Sequence, residues 1–170
     1  MFENGTAVVY GTSGVCRVVA QEQKLVRGNY VDYLVLRPVY DKNTTFYIPK
    51  NSEEVMAKLR PLLSKDEILE LIRSMPDEDT VWIDDNNLRK QKYNQMIGQG
   101  DRRKLIKLIK TLYIHQNEMK AKGKNLHQSD EAILKQAEKL LNDEFALVLD
   151  IKPENVNEFI VDLMNSESSN

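Results

Sequence analysis

The sequence predicts an α+β protein in which a small N-terminal antiparallel β-barrel precedes an all-helical domain. Short β-rich runs separated by tight turns fill residues 1–49, whereas helical periodicity and capping signals begin after residue 50. The composition is that of a globular chain, with 41% apolar and 29% charged residues among 170. We therefore expect two domains, a β-domain over residues 1–60 and a helical domain over residues 61–170.

The β-domain is predicted from four or five short strands. Apolar and β-branched residues concentrate in the runs 7–10, 15–20, 30–39 and 44–48. Glycine, asparagine and aspartate lie between these runs, as is typical of tight turns. Several short strands joined in this way predict a small antiparallel barrel.

The helical domain is predicted from its helix starts and stops. Ser64 and Glu67 form a capping box, and the helix that they begin should end before Pro76. A helix over residues 88–97 follows, and Asp101 is expected to cap a longer helix that reaches about Lys120. Ser129 should cap another helix, and Pro153 suits the first turn of the last one, with a frayed tail over residues 166–170.

Several classes of protein are excluded or disfavoured. No apolar run approaches the roughly 20 residues that span a bilayer, and no signal peptide is visible, so we expect a cytoplasmic protein without a membrane partner. The single cysteine, Cys16, cannot form an internal disulfide, and neither histidine has the spacing of a metal ligand. We expect no catalytic residues, no metal and no cofactor, and therefore not an enzyme.

The charge is strongly segregated along the chain. Residues 86–124 carry 11 basic and 2 acidic residues, a net charge of +9 in a chain whose total is −2. A basic block of this kind is typical of a nucleic-acid contact, although its side chains could instead pair with the acidic segments on either side. The candidate phosphate contacts are Arg89, Lys90, Arg103, Lys107 and Lys110.

Trp82, the only tryptophan, lies in a polar segment just before the basic block. Two interpretations remain open. The indole could anchor the helical core, or it could be an exposed wedge that enters a base step in the minor groove of DNA.

The chain resembles the CarD/CdnL family of bacterial transcription regulators, whose first domain also occurs in transcription-repair coupling factors. The resemblance rests on the opening pattern Phe2-x-x-Gly5-x-x-Val8-Val9-Tyr10-x-x-x-Gly14-Val15-x-x-Val18 and on Tyr33-Leu-Val-Leu36-Arg-Pro38. It extends to Gly100-Asp101 at a helix start and to Ala137-x-x-Leu140-Leu141 near the end.

The resemblance implies a Tudor-like (SH3-like) β-domain that binds the RNA polymerase β subunit and a helical domain that contacts promoter DNA. The implied polymerase contacts are Lys24, Tyr47 and its neighbour Phe46, where Tyr47 stands in place of a basic residue. Trp82 is the implied minor-groove wedge at the upstream edge of the melted region, which would stabilise the open complex.

Two other hypotheses remain. The protein could be an adaptor whose helical bundle is purely structural, or an RNA-binding protein that uses the barrel surface. No heptad seam is visible, so we expect a monomer, associated with the nucleoid through RNA polymerase.

Overall fold

A computed structural model describes residues 2–168 of the chain. The chain divides into two compact units, Met1–Leu63 and Ser64–Asn170. The first is mainly β and the second is helical, so the predicted α+β class is confirmed. The predicted domain boundary between residues 60 and 61 falls inside a strand of the first unit.

The first unit is built on one antiparallel sheet. Its elements are β1 (Ala7–Tyr10), β2 (Val15–Val26), β3 (Asn29–Pro38), β4 (Phe46–Pro49), α1 (Glu53–Met56) and β5 (Leu59–Pro61). The strand order is β4-β3-β2-β1-β5, and the two-residue turn between β2 and β3 is made by Arg27 and Gly28, both with positive φ.

The sheet is open, so the predicted closed barrel is not observed. The short strands β4 and β5 form opposite edges, and no ladder pairs them among the described residues. One face of the sheet carries the core, and Phe2 together with Val55 and Met56 packs against it. The core residues are therefore covered by a short helix and the chain's N-terminal segment, which makes closure by strand pairing unnecessary. The buried core consists of Val8, Cys16, Val18, Leu34, Leu36, Ile48 and Leu59.

The second unit contains five helices among the described residues. Side chains of Ser64, Asp85 and Asp101 cap the first three of them by accepting backbone N–H bonds. The helices are α2 (Lys65–Ser74), α3 (Asn86–Gln99), α4 (Arg102–Ala121), α5 (Gln128–Leu149) and α6 (Val156–Ser168).

Two predicted helix ends differ from the structure. Helix α5 begins one residue after His127, whose ring nitrogen Nδ1 accepts from the backbone N–H of Ser129 at 3.4 Å, so His127 and not Ser129 is the cap. Pro153 lies in a 3-10 turn, Pro153–Asn155, that leads into α6. Helix α6 continues to Ser168, and residues 169–170 of the predicted frayed tail lie outside the described residues.

The core of the second unit forms where α3, α4 and α5 meet. Its buried members are Tyr93, Ile97, Leu105, Leu108, Leu112, Leu126, Ile133, Leu134 and Ala137. The segment before α3 adds Val81, Trp82 and Ile83 as partly buried residues at its edge. This arrangement places the only tryptophan at the border between core and surface.

Candidate functional site

Two of the predicted polymerase contacts meet on the sheet face opposite the core cluster, where both are exposed although Val35 beside them is buried. Lys24 on β2 and Tyr47 on β4 pair with Val31 and Val35, two positions of β3 that face the same side. The ammonium Nζ of Lys24 lies 3.9 Å from the centroid of the Tyr47 ring, which is a cation–π contact. The outer face thus displays an ammonium beside a phenol, both reachable from solvent, and the ammonium also lies 3.9 Å from the exposed Glu22 carboxylate.

Phe46 lies on the other face of β4. Because successive side chains of a strand alternate, Phe46 points toward the core when Tyr47 points outward. Its ring makes an edge-on contact with Tyr10, with centroids 5.3 Å apart, and it packs against the buried cluster. The structure therefore separates Phe46 from the exposed Lys24–Tyr47 pair.

Trp82 is half-buried and makes three contacts through its indole. Its ring stacks on His115 of α4, with centroids 3.8 Å apart and planes inclined by 24°. The guanidinium carbon of Arg89 lies 4.5 Å from the ring centroid, and Nε1 donates to a carboxylate oxygen of Asp84 at 3.0 Å. The side chain thus anchors the edge of the helical core and still keeps part of its surface exposed.

The backbone on both sides of Trp82 is fixed by side chains from the helices. Val81 donates its N–H to the Thr111 hydroxyl at 3.0 Å, and its carbonyl accepts from the Tyr93 hydroxyl at 2.7 Å. Arg89 donates to the carbonyls of Ile83 and Asp84 at 3.0 and 3.3 Å. The segment 81–84 is therefore held in one conformation although it has no regular secondary structure.

Arg89 is not the surface cation that the sequence suggested. Only 3% of its side chain is exposed, and it makes two parallel bonds to the carboxylate of Asp130 on α5, at 2.9 and 2.8 Å. Its remaining donors bond the carbonyls of the Trp82 segment. A phosphate could reach this guanidinium only by displacing a buried carboxylate, so we leave Arg89 out of the candidate DNA surface.

Lys110 is also engaged inside the unit. Its ammonium donates to the carbonyls of Met75, Pro76 and Glu78 at 3.3, 2.9 and 2.7 Å. These carbonyls lie in and just after the 3-10 turn Met75–Asp77 that follows α2, so the lysine closes that end. Lys110 therefore has structural partners within the unit, which its place in the basic block did not reveal.

The other predicted DNA contacts lie at the surface. Lys90 is exposed and borders a concave surface with Asn94, Gln128 and Ser129. Arg103 and Lys107 lie within 3.9 and 3.8 Å of the Glu78 carboxylate, with the Arg103 side chain two-thirds exposed. The Arg103 side chain is exposed enough to exchange Glu78 for another anion, whereas the side chains of Lys107 and Glu78 are only 35% and 11% exposed.

The charge segregation along the chain is partly explained by pairing within the helical unit. Arg102 makes two bonds to the buried carboxylate of Glu144, at 3.0 and 2.7 Å, and Arg89 makes the equivalent pair with Asp130. Sequence reasoning missed both acidic partners and also His115, because each lies 33 or more positions from its partner. The sequence offered one local sign of these pairs, the acidic residue Asp130 at the start of α5.

Burial changes the acidity of three groups in the two units. It raises the pKa of the Cys16 thiol to about 11 and that of the Tyr93 hydroxyl to about 12. For Tyr113, burial and then a hydrogen bond to Glu138 raise the pKa well above its ordinary value. All three groups are neutral at pH 7, so Cys16 has the character of a core residue and not of a nucleophile.

Residues 2–168 contain no group of three or more His, Cys, Asp or Glu side chains placed to hold a metal ion. Within the same part of the chain, no helix has the length and apolar character needed to cross a membrane.

The first unit thus carries an exposed lysine–tyrosine pair, and the helical unit carries surface cations. Two family models match the chain, the CarD-like/TRCF RID domain over residues 2–62 and the CarD C-terminal domain over residues 67–161. The chain therefore belongs to the CarD family. This membership indicates a regulatory interaction protein that acts on RNA polymerase. A search of curated proteins finds no significant match.

Proposed function

We propose that the protein is a non-enzymatic transcription regulator that binds the RNA polymerase β subunit through its first unit and promoter DNA through its second. The second unit would contact DNA near the upstream edge of the melted region and stabilise the open complex. The observation that carries the proposal is the match of both CarD domains in their family order, over nearly the whole chain. RNA polymerase as the proposed partner implies a protein in the cytoplasm, at the nucleoid.

The polymerase contact is assigned to the outer face of the sheet around Lys24 and Tyr47. These residues are 23 positions apart, yet their side chains touch and remain exposed. An exposed cation–π pair contributes only about 0.5–1 kcal/mol to the fold, so the pair is free to exchange partners. It offers a polymerase surface one positive charge, one aromatic face and one hydroxyl.

The DNA contact is assigned to Trp82, Lys90, Arg103 and Lys107. Lysine and arginine side chains would bind phosphates, and Asn94, Gln128 and Ser129 beside Lys90 supply further hydrogen-bonding groups. Base-specific recognition is not part of the proposal, because Trp82 Nε1 is already bonded to Asp84. The exposed part of the indole would act as an apolar prop in the minor groove.

Weak binding to free DNA is sufficient for this mechanism. The chain has a net charge of −2, so the electrostatic field of the whole protein does not attract DNA. Attachment to polymerase raises the local concentration of the helical unit at the promoter, to the millimolar range for a short connection.

The proposal is tested with the full chain, by polymerase co-purification and by the lifetime of open complexes. We expect Lys24→Glu and Tyr47→Ala to weaken polymerase binding, whereas Lys42→Glu, the same charge change on an exposed turn, retains it. Trp82→Ala should retain polymerase binding and shorten the lifetime of the open complex. Loss of polymerase binding in Trp82→Ala, with binding intact in Tyr47→Ala, would reverse the assigned roles.

One observation favours the adaptor hypothesis as a second candidate. Arg89, Arg102 and Lys110 are engaged within the helical unit, which leaves a smaller basic surface than the sequence suggests. An adaptor would bind polymerase without any effect of Lys90→Glu or Arg103→Glu on open complexes. If these two changes shorten the lifetime in a salt-dependent way, the adaptor hypothesis fails.

A further inference from the structure

The indole of Trp82 lies against a histidine that no sequence pattern connects to it. His115 lies in the fourth turn of α4, and its ring stacks on the indole with centroids 3.8 Å apart. The imidazole Nδ1 lies 3.5 Å from the Glu118 carboxylate, one turn further along the helix. About a quarter of the histidine side chain is exposed, so it borders solvent together with Trp82.

We propose that His115 is a positioning residue for Trp82, and that its stacked ring fixes the orientation in which the exposed part of the indole meets the minor groove. The proposal rests on the proposed function, in which Trp82 contacts promoter DNA. His115 would act through the indole and would not itself bind polymerase.

The surrounding contacts show what a stacked ring adds. Hydrogen bonds to Tyr93, Thr111 and Arg89 fix the backbone on both sides of Trp82. The Nε1 bond to Asp84 and the Arg89 guanidinium limit the rotation of the indole, and the imidazole adds a flat ring surface that supports the same rotation. A side chain that is ordered before binding loses less entropy when the complex forms, which favours binding.

The opposite role is a latch, in which the indole must leave His115 before it can enter the groove. A latch would cost affinity, because the stack and the Nε1 bond to Asp84 would be broken on binding. The closed network around residues 81–84 favours the positioning role, since every one of its bonds can persist while the exposed part of the ring makes contact.

The experiment uses the full chain with His115→Ala, His115→Phe and, as a control, Asn117→Ala, an exposed position on the same helix. Because Trp82 is the only tryptophan, its fluorescence reports directly on the stack. We expect the Ala variant to give a red-shifted emission and stronger quenching by acrylamide. The Phe variant and the control should resemble the wild type, because phenylalanine retains a flat ring.

The second measurement is the lifetime of open complexes, with polymerase binding recorded in parallel. His115→Ala should shorten the lifetime by about two- to tenfold, the effect of one side chain that must be ordered on binding, and His115→Phe should restore it. All variants should bind polymerase equally. If far-UV circular dichroism shows that the Ala variant does not fold, His115→Leu takes its place, because leucine keeps the volume without a flat ring.

The outcomes separate this inference from the proposed function. If Trp82→Ala leaves the lifetime unchanged, the proposed role of Trp82 in DNA binding fails, whatever His115 does. If Trp82→Ala shortens the lifetime but His115→Ala does not, the positioning role is wrong and the proposed function stands. A longer lifetime in His115→Ala would establish the latch and overturn the proposal.

Discussion

At the scale of single residues, Tyr93 joins the helical core to the segment that carries Trp82. Its ring is fully buried among α3, α4 and α5, and its hydroxyl donates to the Val81 carbonyl at 2.7 Å. Burial raises its pKa to about 12, since the charged phenolate would lose its hydration there. The residue therefore stabilises the fold only in its neutral form.

The raised pKa of Tyr93 predicts how the stability of the protein changes at alkaline pH. At neutral pH, Tyr93→Phe should lower the free energy of unfolding by about 1–2 kcal/mol, because the Val81 carbonyl loses its partner. The contribution of Tyr93 is complete below pH 10, the ordinary pKa, and is lost as the pH rises toward about 12, because the unfolded chain releases the proton first.

Urea denaturation of both proteins at a series of pH values measures this difference. The difference in free energy of unfolding between wild type and Tyr93→Phe should be constant below pH 10 and should then decrease. Cys16 and Tyr113 titrate in both proteins, so their effects cancel in the difference. A difference that stays constant up to pH 12 would show that the Tyr93 hydroxyl is not buried as described.

At the scale of elements, α5 is the helix to which α3 and α4 are joined by ion pairs. Arg89 of α3 pairs with Asp130, and Arg102 of α4 pairs with Glu144, each through two parallel bonds. The planar guanidinium suits this geometry, and in the first pair both side chains are almost completely buried. One pair lies near the start of α5 and the other near its end, so the helix is joined to a neighbour at both ends.

We expect Asp130→Ala to destabilise the protein by about 3–5 kcal/mol, because it leaves the buried Arg89 without a counter-charge. Glu131→Ala is the matched control. Glu131 lies in the same first turn of α5, but it is exposed and pairs only with Lys135 four residues on, so its loss should cost about 0.5 kcal/mol or less. Thermal or urea denaturation measures both values, and equal losses would contradict the buried pair.

The elements also show which features a sequence of this kind can predict. The caps at Ser64 and Asp101 and the turn at Arg27–Gly28 depend on neighbours in the chain, so local patterns identify such features. Strand β5 has three residues and exists only because β1 pairs with it, so no local pattern predicts it. The partners Arg89 and Asp130 are 41 positions apart, and only the packing of α3 on α5 brings them together.

The same reasoning explains why the candidate site was only partly predicted. Arg89 and Lys90 are consecutive basic residues, yet one is buried and the other exposed. A run of charges identifies a basic segment, but the rotation of the helix decides which members reach the surface. Resemblance to the CarD family indicated Lys24 and Tyr47, and neither composition nor periodicity would have paired them.

At the scale of the whole molecule, each unit has its own buried core. The sheet unit buries Val8, Leu34 and Leu36, and the helical unit buries Tyr93, Leu108 and Leu112, so each core is formed by the residues of its own unit. In the proposed function the two units have different roles. The first unit supplies local concentration, and the second supplies the contact that stabilises the open complex.

This division predicts how two variants respond to protein concentration. Tyr47→Ala weakens the attachment but leaves the DNA-contacting unit intact, so a higher protein concentration should recover its effect on open-complex lifetime by mass action. Trp82→Ala keeps the attachment and lacks the contact, so its effect should remain low at saturating concentration.

The measurement is open-complex lifetime as a function of protein concentration, with Lys42→Glu as the control that should follow the wild-type curve. We expect the Tyr47→Ala curve to shift to higher concentration with the same plateau, whereas the Trp82→Ala curve keeps its midpoint and loses its plateau. The two parameters are independent because midpoint reports attachment and plateau reports the contact made once attached. A lowered plateau in Tyr47→Ala would mean that the sheet unit also acts on the open complex directly, and the roles would then not be separable by unit.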